Sequence, residues 1–277
     1  MNPYLQTKLY SSELAVKLYC LENCSNMPHW HIDVEIILVI EGSIKVGIND
    51  DSKILNKGDM AIFGSTDIHY LDSTNMSSKI NMIIFRPDIV GNSFGWPETF
   101  KLNTPFINES VINKIKLENY KKIADIFHSI VNEMKDKETA YDLCIKGKLI
   151  ELCAFALRYL PISSSDKTKK GNRLPDINRI KNAMKFIEDN YANNITLNDI
   201  SQRVHFSACY FSRMFKKFTG INFGTYLNEV RVENAEFLIK TTSKSIAEIA
   251  FECGFNSVRT FNRAFKKIKG YTPSSLD

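Results

Sequence analysis

A chain of 277 residues, 44% hydrophobic and 11% aromatic, carries ample material for packed cores and too much of it for a disordered protein. By ordinary domain sizes it predicts about two domains. No apolar run reaches the ~18 residues that span a bilayer, and the opening MNPYLQTKLYSSE lacks the apolar core of a signal peptide, so a soluble cytoplasmic protein is expected.

The net charge of +5 is unevenly placed. Residues 1–165 carry 17 Lys and Arg against 20 Asp and Glu, whereas residues 166–277 carry 19 against 11. An anionic partner is therefore expected for the C-terminal part alone. The six cysteines, Cys20, Cys24, Cys144, Cys153, Cys209 and Cys253, include no CxxC pair. They read as free, mostly buried thiols.

The first hundred residues read as strands. ELAVKLYC, DVEIILVIEG, SIKVGI, MAIFG and KINMIIF are short, β-branched and separated by Gly, Asn and Asp clusters, the pattern of a small barrel or sandwich. At the head of the second run stands PHWHIDVEIILVIEG, with His29, His31 and Glu35 two and four residues apart. On a strand, residues 29, 31, 33 and 35 would share one face. That spacing suits a metal site and equally a polar pocket wall.

From Ser110 to Lys135 the apolar residues Tyr120, Ile123, Phe127, Ile130 and Met134 mark one helix, and from Glu138 to Leu160 Tyr141, Ile145, Leu149, Leu152, Ala156 and Leu160 mark a second. This hairpin either only covers the barrel or also makes a homodimer; a stripe does not name its partner. Pro161–Asp176, PISSSDKTKKGNRLPD, lacks apolar anchors and reads as a linker. The expected domains are thus a sensing domain over 1–108, a helical hairpin over 109–160, a linker over 161–176 and a helical domain over 177–277.

The helical domain contains an internal repeat. Phe211, Arg213, Phe215, Lys216, Lys217 and Gly220 recur 50 residues on as Phe261, Arg263, Phe265, Lys266, Lys267 and Gly270. Each copy is laid out as a helix-turn-helix. Thr196-x-x-Asp199 and Ser245-x-x-Glu248 read as capping boxes, His205 and Gly254 occupy the turn, and Gly220 and Gly270 end the second helices. The Phe pairs should anchor inward, leaving Ser212, Arg213, Lys216 and their counterparts toward the open side. Duplication, turn chemistry and confined basic charge together favour DNA over an ordinary solvated face. Two recognition helices held apart suit major-groove segments ~34 Å apart.

The stretches FSRMFKKFTGINFGTYLNEVRVENAEFLI and IAEIAFECGFNSVRTFNRAFKKIKGYTP, in that order, resemble the DNA-binding domain of the AraC/XylS family of transcription regulators over roughly residues 176–277. The resemblance implies one recognition helix per unit, with Cys209, Ser212 and Arg213 in the first, and Val258, Arg259, Thr260 and Arg263 in the second, facing bases. The arginines suit guanine O6 and N7, or equally phosphate. Cys209 and Val258 are limited to apolar contact. Lys216, Lys217, Lys266 and Lys267 suit phosphate, and Arg231 is either a brace or a phosphate contact. Double-stranded promoter DNA, a second copy of the chain and RNA polymerase are the partners the resemblance implies.

The N-terminal strands resemble the cupin-type sensory domain of that family. His29, His31, Glu35 and Gly42 satisfy H-x-H-x3-E-x6-G, and Gly58-x10-His69 keeps the spacing of the second cupin motif. Gly64, Thr66 and Ser73 replace its Pro, Gly and Asn, and Asn23 replaces a Gly before the first histidine. The expected architecture is α+β: a cupin-like barrel with a helical hairpin, then an all-α domain of two helix-turn-helix units. The leading function is a non-enzymatic transcription regulator that senses a small-molecule effector, with His29, His31, Glu35 and His69 lining the effector pocket. Alternatives are a divalent metal on those four residues, in a metal sensor or metal-dependent enzyme fused to a DNA-binding domain, an ordinary hydrogen-bonded cluster without ligand, and a regulator whose barrel is only a dimerisation scaffold.

Overall fold

The computed structural model describes residues 14–91, 102–161 and 174–276. They fall into two compact units, one within residues 4–168 and the other within 169–277. Among the described residues no helix is long and apolar enough to cross a membrane.

The first unit is built on seven antiparallel strands: β1 (Val16–Glu22), β2 (Val34–Ile48), β3 (Asp51–Asn56), β4 (Met60–Phe63), β5 (His69–Asp72), β6 (Ser78–Phe85) and β7 (Phe106–Ile107). One sheet runs β1-β6-β2-β4-β7, while β3 and β5 pair with β2 alone. Residues 34–42 of β2 lie against β6 and residues 43–48 against β3 and β5. The two strands expected from DVEIILVIEG and SIKVGI are therefore one. Gly42 sits at φ +70° beside a bulge between Val39 and Glu41, and a Cβ there would stand 1.9 Å from the Ser77 carbonyl oxygen. The chain bends at this glycine and continues, where a hairpin turn would have reversed it.

The unbroken apolar run of β2 has a packing cause. Val34, Ile36 and Leu38 join one core with Ile83, Phe85 and the helices that follow. Ile37, Val39, Ile44 and Val46 join a second core with Phe63, Leu71, Met82 and Phe106. A strand buried on both faces loses polar alternation.

The helices are α1 (Glu109–Ile115), α2 (Leu117–Asp136) and α3 (Tyr141–Tyr159). The single helix expected from Ser110 is split at Lys116, φ +69°. Ile115 and Tyr120 both belong to the core yet lie five residues apart, about 140° off-phase on one continuous helix; the break lets both face inward. The α2 and α3 stripes pack as expected, with Tyr120, Ile123, Phe127, Ile130, Ile145, Leu149, Leu152 and Ala156 buried.

The second unit is helical: α4 (Leu174–Asn190), α5 (Leu197–Arg203), α6 (Ala208–Thr219), α7 (Phe223–Thr241), α8 (Ile246–Glu252) and α9 (Val258–Lys269). Most of the expected linker lies outside the described residues, but 174–176 form the start of α4. Both capping boxes are present, at Thr196/Asp199 and Ser245/Glu248. Phe211, Phe215, Phe261 and Phe265 are fully buried, the first pair meeting at a tilt with 5.3 Å and the second edge-to-face with 5.5 Å between centroids. All six cysteines are free, but Cys20, Cys144 and Cys209 are exposed, which corrects the expectation of mostly buried thiols. Single sulfhydryls on exposed helix and strand faces leave no pattern in a sequence.

Candidate functional site

In the first unit His29, His31, Glu35 and His69 converge, with one potential ligand atom from each lying within 4.8 Å of all the others. Strand alternation is not what brings them together. Only Glu35 is on β2; His29 and His31 precede it, and His29 forms an isolated bridge with His69 at the start of β5. Paired backbone bonds hold that bridge, His29 N–H to the His69 carbonyl at 3.0 Å and the reverse at 2.9 Å. Asp33 is buried, but its carboxylate is not one of the converging groups.

Each histidine is oriented in the same way. Nδ1 lies 2.8 Å from the Met27 carbonyl in His29, 3.1 Å from the Asp33 carbonyl in His31 and 2.8 Å from the Asp67 carbonyl in His69. A carbonyl only accepts, so Nδ1 carries the hydrogen in all three rings and Nε2 is left facing its neighbours. The Nε2 atoms of His31 and His69 each stand 3.5 Å from Glu35 Oε2. The Phe63 ring closes one side, 4.6 Å from His69.

Burial penalises charge here. It pushes His29 down to about 3, helped by the neighbouring His69. Burial also opposes ionisation of Glu35, but the facing His31 and His69 outweigh it and hold that carboxyl below the ordinary range. His69 is shifted upward, its own desolvation being overcome by Glu35. The cluster is thus a buried carboxyl group with three imidazoles gathered around it. Asn23 and Thr66, two of the departures from the cupin pattern, adopt φ +49° and +67°, and Thr66 N–H donates to the His31 carbonyl at 2.7 Å.

In the second unit the duplicated helices present matching faces. On α6, Cys209, Arg213, Lys216 and Lys217 are exposed and Ser212 is half-buried. On α9, Arg259, Thr260, Arg263, Lys266 and Lys267 are exposed, whereas Val258 is half-buried and packs against the core of its own unit. The Thr260 hydroxyl lies 3.0 Å from that of Ser257, the residue that caps the helix. Arg213 stacks over the Tyr210 ring at 5.3 Å, and Tyr210 donates to Asp176 at 2.9 Å, tying the start of α6 to α4.

Arg231 is a brace. Its Nε donates to the Tyr191 carbonyl at 2.8 Å and its Nη2 to the Asn193 carbonyl at 2.9 Å, so it clamps the loop between α4 and α5. Sequence inspection passed over Lys269, which pairs with Glu233 and, at 2.6 Å, with Glu236, locking α9 onto α7. It also passed over the three carbonyl anchors of the histidines, since backbone partners leave no residue-type signal.

Comparison with known proteins bears on both units. A model of the helix-turn-helix domain matches residues 200–277, and a model of the AraC-like ligand binding domain matches residues 16–153. The Msm operon regulatory protein of Streptococcus mutans is 29% identical over 49% of this chain and 47% of its own length, so the chain spans about half of that relative. The melibiose operon regulatory protein of Escherichia coli strain K12 is 24% identical over 88% of this chain and 81% of its own length. The transposon Tn10 TetD protein of Escherichia coli is 36% identical over 34% of this chain and 69% of its own length. With an antiparallel-sheet unit matching the ligand-binding domain and a helical unit carrying two helix-turn-helix motifs, the chain belongs to the AraC family of transcription regulators.

Proposed function

We propose that this regulator reads a specific promoter sequence through α6 and α9, and that its N-terminal unit senses an effector that changes promoter binding. The observation that carries this reading is the duplicated basic face: Arg213 on one helix, Arg259 and Arg263 on the other, each exposed on a helix whose opposite side is fixed by two buried phenylalanines. Arg259 and Arg263 suit bidentate contact to guanine. Cys209 and Ser212 line the same face of α6, and Val258, half-withdrawn, is left with a thymine-methyl contact at most. Lys216, Lys217, Lys266 and Lys267 sit nearer the helix ends and suit phosphates.

A homodimer fits the surface of α3. Leu143, Gly147, Ile150 and Ala154 are all exposed, at alternating four and three spacing, opposite the buried stripe of Ile145, Leu149, Leu152 and Ala156. Leu143 is 65% exposed and Ile150 44%. An apolar seam of this period with small residues between the large ones suits a second copy of the same helix. RNA polymerase as a further partner, and action in the cytoplasm, follow from the family's work as transcription regulators; a catalytic role has no support in the relatives.

Selection of bound fragments from random double-stranded DNA tests this. A recurrent motif with two half-sites about one helical turn apart is the expected result. Enrichment of no motif, with binding that depends only on salt, would sink the reading.

A further inference from the structure

The two helix-turn-helix units differ beside their turns, where one is filled by the chain itself and the other stands open. In the second unit Arg231 lies over the Phe255 ring at 5.7 Å and donates to the Tyr191 and Asn193 carbonyls of the α4–α5 loop. Glu252, at the end of α8, pairs with Lys244 at 2.6 Å. Both charged side chains are spent within the fold.

The first unit has the same layout with different chemistry. Phe206, the counterpart of Phe255 in the repeat, lies under Arg179 of α4 at 5.0 Å. Arg203 stands where the repeat has Glu252, over the Phe186 ring at 4.4 Å. Here the space is an open groove of about 690 Å³ between α4 and the end of α5, where the two arginines are joined by Lys185, His205 and one carboxylate, Asp189. Among the described residues no carboxylate pairs with Arg179, Lys185 or Arg203.

We propose that this groove binds backbone phosphates of the DNA beside the half-site that α6 reads. The first unit then holds the duplex with α4 and the end of α5 as well as with its recognition helix. The proposal rests on the promoter reading above.

The pose of the arginines points to oxygen acceptors. A guanidinium laid on an aromatic ring is held by its face, which leaves its N–H edge free for a two-pronged acceptor. Phosphate oxygens fit that edge and supply the missing negative charge. Arg231, posed alike over Phe255, takes two carbonyl oxygens from the chain; Arg179 must find its oxygens outside it.

Continuity with the recognition face selects DNA. The Tyr210 ring lies 4.8 Å from Phe206, and Arg213 stands over Tyr210 at 5.3 Å. Arg179, Phe206, Tyr210 and Arg213 thus form one row of stacked side chains from the groove to the exposed face of α6. The bond from Tyr210 to Asp176 fixes the start of α4 against that row. In helix-turn-helix domains the helix before the recognition helix crosses the DNA backbone, and Arg203 is the last residue of that helix here. An acidic protein segment would match the charge but not this continuity.

The test uses the full-length chain and its selected motif, placed within a longer duplex. Arg263→Ala identifies the α9 half-site by the base position it relaxes. Phosphate ethylation should interfere just outside the other half-site and not at the corresponding place beside the α9 one. Arg179→Ala combined with Arg203→Ala should weaken binding about 10-fold or more, by one factor on every sequence. The slope of log affinity against log salt should fall by about 2. Arg203→Lys, which keeps the charge, should retain the slope that Arg203→Ala loses, a result that a purely structural side chain does not give. An unchanged slope in the double variant, or no interference outside the half-site, overturns the groove while motif selection leaves the promoter reading intact. A reduced slope on random DNA, with no motif selected by the unaltered chain, overturns that reading and leaves the groove standing. Altered transcription at unchanged DNA affinity assigns the groove to a protein partner and overturns the proposal.

Discussion

The two helix-turn-helix units share their caps, their buried phenylalanine pairs and their closing glycines, yet their turns solve one problem in two ways. Both need a left-handed residue between the helices. The first uses His205 at φ +55°, the second Gly254 at φ +83°. The difference lies in what surrounds each turn. His205 is exposed, whereas a Cβ on Gly254 would stand 2.6 Å from the Ala192 carbonyl oxygen and 2.9 Å from that of Tyr191. Positive φ alone tolerates a polar side chain at modest cost. Positive φ together with a backbone pressed against it admits only glycine. The second turn is therefore pinned to the loop between α4 and α5, the same loop that Arg231 clamps.

The contrast can be broken most forcefully at Gly254. Gly254→Ala adds left-handed strain and a backbone clash and should cost about 2–4 kcal/mol, read as a lower denaturant midpoint. A loss below about 0.5 kcal/mol, the range of an ordinary surface change, would mean that the loop gives way freely. Next in size, Arg231→Ala removes two charge-assisted bonds and should destabilise the domain by about 2–3 kcal/mol. If thermal unfolding is unmoved while binding to all DNA weakens, Arg231 belongs to the DNA face instead.

Recognition offers a finer contrast. Arg263→Ala should cost about 1–3 kcal/mol at a preferred site and relax one base position. Arg213 is stacked on Tyr210, and its replacement by Ala should weaken binding more evenly across sequences. Competition assays with single-base variants of the selected motif decide both. The smallest effect is expected at the first turn: His205→Gly removes a left-handed side chain from an exposed position and should add up to about 1 kcal/mol. A loss of stability there would give the imidazole a contact of its own.

The helical unit was largely legible because its signals are local. Capping boxes, C-terminal glycines and a 50-residue repeat are written in residue types at fixed spacing, and each produced the element it predicted. The sheet unit was less so. β3, β5 and β7 escaped notice: two are four residues or fewer, and DSKILN in β3 lies on the exposed side with charged neighbours. The α1–α2 break was written in the five-residue gap between Ile115 and Tyr120, a phase slip hidden when the stripe is counted only from Tyr120. His29, His31 and Glu35 stand out by their spacing and His69 by the second cupin motif, but the expected cause for the first three, one face of one strand, does not hold. Long-range pairing of His29 with His69 gathers them, and sequence separation conceals such pairs.

The doubly buried strand β2 has a consequence for how the chain finds its register. An ordinary half-buried strand that slips by one residue turns its apolar face to water and is penalised at every position. In VEIILV a slip merely exchanges Ile36 for Ile37 and Leu38 for Val39, since both faces meet apolar cores. The hydrophobic pattern is nearly blind to the error. What discriminates is a carboxylate and a missing side chain. One step of slippage drives Glu35 away from its histidines into the apolar helix-facing core, and sets Glu41 or Ser43 where only Gly42 clears the Ser77 carbonyl. Glu35 of the cluster and Gly42 at the bend thus also serve as the alignment marks of the sheet.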